Sequence, residues 1–99
     1  MKKSPLVLIA DDDRAWAERI AELFVAYGYD VDVVVDGGLA LERACRSDFD
    51  VAFLGANMKG VDGFADVRKR KPEARIVMMP GADTPLAFEH MLEIVETAA

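Results

Sequence analysis

The sequence predicts an α/β domain, a doubly wound parallel sheet of about four strands with helices on both faces. Short apolar runs alternate with amphipathic stretches of helical length four times along the chain. Strands separated by helices pair in parallel through right-handed crossovers, which places helices on both sides of one sheet. No linker, repeat or low-complexity segment interrupts the alternation, and 99 residues at 53% hydrophobic and 30% charged fit one domain over 1–99.

Leu6 to Ala10, LVLIA, is a continuous apolar run between Pro5 and three aspartates, as expected of a strand buried on both faces. RAWAERIAELFVAYG follows with Trp16, Ile20, Leu23, Phe24 and Tyr27 on one helical face, Asp13 as N-cap and Gly28 as C-cap. YDVDVVV alternates and is β-branched, so it reads as a strand whose exposed start marks an edge. Asp36 offers a cap for a second helix, GLALERACR, in which Leu39, Ala40, Ala44 and Cys45 face the sheet and Glu42, Arg43 and Arg46 face water.

DVAFLG is the third strand, and DGFADVRKR a short third helix with Asp62 as cap, Phe64 and Val67 inward, and Pro72 at its end. ARIVMM is a fourth strand, closed by Pro80 and Gly81. PLAFEHMLEIVETAA opens with proline in a first helical turn and carries Leu86, Phe88, Met91, Leu92 and Val95 as an apolar stripe.

The net charge of −6 argues against nucleic acid or acidic membrane as partner, because phosphate binding needs clustered Lys and Arg. The one basic cluster, Arg68 to Lys71, reads as a solvated helix end. Cys45 alone cannot form an intrachain disulfide and reads as a small buried side chain in a reduced, cytoplasmic compartment. The apolar run near the start is too short for a signal peptide core or a membrane span. His90 reads as a helix-surface residue and Trp16 as core packing, and no Ser-His-Asp, Cys-His or zinc-ligand spacing supports hydrolytic or zinc chemistry.

All strand C-termini of such a sheet share one edge, so Asp11, Asp12 and Asp13 fall near Gly55. Three carboxylates at a strand-to-helix junction repel unless a cation, a helix N-terminus or hydrogen bonds offset the charge. Two readings stand. Asp11 and Asp12 make a Mg²⁺ site, since that ion takes carboxylate oxygens, or they are solvated residues at the positive end of a helix that Asp13 caps.

From LVLIADDD through DVAFLGANMKGVDGF, the sequence resembles the receiver domain of two-component response regulators, and the Gly60–Gly63 turn, GVDG, is the most specific match. The resemblance covers Leu6 to about Met79 and implies a flavodoxin-like sheet of order 2-1-3-4. It aligns the phospho-accepting aspartate of the family with Gly55, which has no side chain. It assigns the metal acids to Asp11 and Asp12 and the metal's carbonyl ligand to Asn57, while the usual loop proline is Lys59. The hydroxyl that holds the phosphoryl group falls on Pro80, which has neither hydroxyl nor N–H.

The chain also has one strand–helix unit fewer than the family. Either the last segment is the family's Lys-Pro turn and closing helix, with Thr84 in place of lysine, or it is an ordinary fourth helix followed by truncation. The resemblance therefore implies a degenerate receiver in phosphorelay signalling, not an enzyme, acting by protein contact without phosphorylation. The alternative is a phospho-acceptor using Asp11, Asp12 or Asp62 with Mg²⁺. On the first reading Mg²⁺ binds weakly and no cofactor is required. The fourth strand becomes an open edge. The expected contact surface is Arg75, Ile76, Val77, Met78 and Met79 with Phe88, Met91, Leu92 and Val95, and the expected partner is a histidine kinase, another receiver or a second copy in a homodimer.

Overall fold

A computed structural model describes residues 5–55, 68–69, 71–72, 74–79 and 88–98. The described elements are β1 (Leu6–Ala10), α1 (Arg14–Ala26), β2 (Asp30–Val34), α2 (Gly37–Arg46), β3 (Val51–Gly55), β4 (Arg75–Met79) and α3 (Phe88–Ala98). The strands form one parallel sheet in the order β2-β1-β3-β4. Arg68 and Lys69 are helical and exposed, and Pro72 lies in a turn. The other residues expected in the third helix, Asp62, Phe64 and Val67, lie outside the described residues, as do Pro80, Gly81 and Leu86.

The apolar runs became the central strands. Every residue of β3 is buried, as are four of the five in β1, because helices cover both sides of them. Asp13 caps α1 by accepting the Trp16 N–H at 3.1 Å, and Asp36 caps α2 by accepting the Leu39 N–H at 2.9 Å. Gly28 follows α1 at φ +92°, the left-handed conformation that lets the chain turn into β2.

Side chains alternate across the sheet into two cores. One side packs Val7, Ile9, Val51 and Phe53 against α1 and α3, with Phe24, Met91 and Val95 fully buried there. The other packs Leu8, Ala10, Ala52 and Leu54 against α2, through Ala40 and Ala44. Trp16 is half-buried against the first of these cores, and His90 is exposed.

Two helical faces differ from the expectation. In α2 the buried residues are Gly37, Ala40 and Ala44, and at about 100° per residue Leu39 falls on the opposite side and Cys45 at the margin. Leu39 is accordingly exposed, and so is the Cys45 thiol, which corrects the reading of both as sheet-facing. In α1, Ala17, Ile20 and Phe24 carry the contact, while Leu23 and Tyr27 are exposed. Charged neighbours leave the hydrophobic stripe wider than the strip the sheet can cover.

α3 lies on the same side as α1, with the Phe88 ring centroid 5.0 Å from that of Phe24 and 5.6 Å from that of Tyr27. A crossover helix leading outward from β4 would lie on the α2 side, since right-handed connections running in one direction share a face. α3 is thus placed as a helix that returns over the sheet. Its packing explains why Met91 and Val95 are core.

Candidate functional site

The C-terminal edge of the sheet brings Asp11, at the end of β1, against Gly55, at the end of β3, through the register that pairs Ala10 with Leu54. The Asp11 N–H donates to the Val34 carbonyl at 3.1 Å, which ties this corner to β2 as well. Asp11 Oδ1 accepts the Asp13 N–H at 2.8 Å. Its other carboxylate oxygen is turned onto the glycine: a Cβ at position 55 would stand 2.9 Å from Asp11 Oδ2 and 3.2 Å from its Cγ. The space that a side chain on residue 55 would enter is occupied by the carboxylate of residue 11.

Burial holds the Asp11 carboxyl above its ordinary 3.8, with the negative charges of Asp12 and Asp13 adding in the same direction and the Asp13 N–H partly offsetting them. Asp12 and Asp13 are exposed. Of the three acids, Asp13 is engaged as the helix cap, as expected.

Among the described residues no group of three acidic, histidine or cysteine side chains converges as a metal-binding cluster. Asn57, which would supply the carbonyl ligand, lies outside the described residues together with Lys59, the GVDG turn, Pro80 and Thr84. A divalent ion would have to draw Asp11 away from Gly55 and compete with the Asp13 N–H. As arranged, these donors do not fit a resident Mg²⁺.

The residues expected to make contacts divide. Arg75 is exposed, Met78 is 47% exposed, and Ile76, Val77, Phe88 and Leu92 are half-buried. Met79, Met91 and Val95 are buried in the core shared by α1 and α3 and present nothing to a partner, which corrects their assignment to the surface. Methionine and valine at helical spacing mark a core face as readily as an outer one. β4 is an outer strand of the sheet among the described residues.

Two features escaped the sequence reading. Arg43 of α2 donates to both carboxylate oxygens of Asp32 in β2, at 2.6 and 2.8 Å. The Lys71 ammonium donates to the Ala44 carbonyl at 2.8 Å and to that of Ser47, and lies 5.4 Å from the centre of the Phe49 ring. It satisfies carbonyls at the end of α2 and belongs to the structure of that face, not to a basic patch. Neither has a local sequence signal, since each partner is set by the topology.

Comparison with known proteins places these features in a family. Residues 7–95 match the model of the response regulator receiver domain. The transcriptional activator protein PfeR of Pseudomonas aeruginosa is 35% identical over 80 residues, covering 80% of this chain and 26% of PfeR. The response regulator PleD of Caulobacter vibrioides is 34% identical over 70 residues, 71% of this chain and 15% of PleD. This chain thus spans about a quarter or less of these relatives. Among solved structures, the receiver domain of a Francisella response regulator superposes with a TM-score of 0.83 at 22% identity, covering 96% of each chain. The receiver domain protein of Methanospirillum hungatei superposes at 0.82 and 18% identity, covering 96% of this chain and 93% of its own.

Proposed function

The chain belongs to the response regulator receiver domain family, and we propose that within two-component signalling it works by protein contact, without being phosphorylated. The observation that carries this reading is the corner itself. The strand end that aligns with the family's acceptor is Gly55, and the Asp11 carboxylate is folded onto it. An aspartyl phosphate needs a carboxylate nucleophile at that point, and glycine has none. The family resemblance adds Pro80 in place of a hydroxyl donor and, on the reading of the last segment as the family's closing helix, Thr84 at the place of the lysine.

On this reading the domain catalyses nothing and needs no cofactor, and Mg²⁺ at Asp11 and Asp12 is at most a weak ligand because it has to displace Asp11 from Gly55 and the Asp13 N–H. It has one strand–helix unit fewer than the family pattern and serves in the cytoplasm. Its partner is a histidine kinase, another receiver or a second copy, reached through the outer side of β4 and the adjoining part of α3. The Asp11 carboxyl favours contact over catalysis too, because a group held by a backbone N–H and pressed on a glycine is a poor nucleophile for an incoming phosphoryl donor.

Incubation with acetyl phosphate and Mg²⁺ followed by intact mass measurement tests it. The expected result is no adduct of about 80 Da, the mass of the phosphoryl group that would bring the added charge of a switch. A stable adduct overturns the reading, and its loss in Asp11→Asn, Asp12→Asn or Asp62→Asn would then identify the substitute acceptor.

A further inference from the structure

We draw no further inference here: the strongest candidate, the exposed apolar surface patch of Leu23 and Tyr27 at the C-terminal end of α1 beside Phe88 of α3, carries nothing because nothing in the structure shows what covers it.

Discussion

Among the described residues the two outer strands of the sheet have equal length and the same parallel geometry, yet they present opposite invitations. β2 reads DVDVV and β4 reads RIVMM. In β2 the Asp30 N–H is directed to β1, where it donates to the Pro5 carbonyl at 3.2 Å, so Val31 and Val33 carry the outward backbone groups. The residue at the centre is Asp32, where β4 has Val77. A second β2 brought alongside in the matching register would set Asp32 against Asp32, and like charges directly opposite destabilise a pair. Arg43 fixes the Asp32 carboxylate in place at 2.6 and 2.8 Å. One edge is guarded by charge at its midpoint and the other is not, and edge control of this kind decides whether a sheet stops or continues.

Transplanting the guard is the strongest way to break the contrast. Val77→Asp puts the centre of β2 onto β4 and is expected to abolish any strand pairing through that edge, read by sedimentation. Val77 is half-buried in the core shared with α1 and α3, so the change should also cost about 1–3 kcal/mol in urea denaturation. Removing the guard is the reverse test. Asp32→Val leaves Arg43 without its partner and gives β2 an apolar centre, and new self-association through β2, read by light scattering, is expected.

Two changes at the end of the sheet touch neither edge and sharpen the comparison by what they leave alone. Asp11→Asn should leave the assembly state as it is and raise the melting temperature at neutral pH. The folded state holds the Asp11 carboxyl above its ordinary 3.8, so the ionised form costs the fold stability at neutral pH. That cost disappears as pH falls from above the raised folded value toward the ordinary one. The advantage of the asparagine variant should fade over the same window, and an advantage constant with pH would contradict the account. Gly55→Ala should have the smallest effect. Its Cβ would stand 2.9 Å from the end of a side chain that can rotate away, at the loss of the Asp11–Asp13 hydrogen bond. A change within about 1 kcal/mol is expected by thermal melting, since a lost hydrogen bond is set against a stiffer unfolded chain.

Much of the fold could be read in advance because the information was local. Asp13 and Asp36 sit one residue before amphipathic runs, and both cap. LVLIA and VAFLG are apolar throughout because both faces are covered. What misled the reading was also local. Leu39 and Cys45 are apolar neighbours of true sheet-facing residues, and only the rotation of α2 over the sheet separates them from Ala40 and Ala44. Met79, Met91 and Val95 read as part of the surface at the open edge, whereas α3 packs on the α1 side and all three are buried there.

The sequence alone settled which chemistry residue 55 can offer, since a glycine carries no carboxylate in any fold. It also settled the alternation of elements and the parallel run of the strands, because hydrophobic period is local and crossovers have one hand, while the order 2-1-3-4 came from the family resemblance. Only the tertiary structure decided that Asp11 fills the space beside Gly55, that Arg43 holds Asp32 and that α3 seats its Met91 in the core on the α1 side. Each of those depends on side chains from different elements meeting at a few ångströms. Such meetings are set by how the helices seat on the twisted sheet, and no spacing within one segment records it.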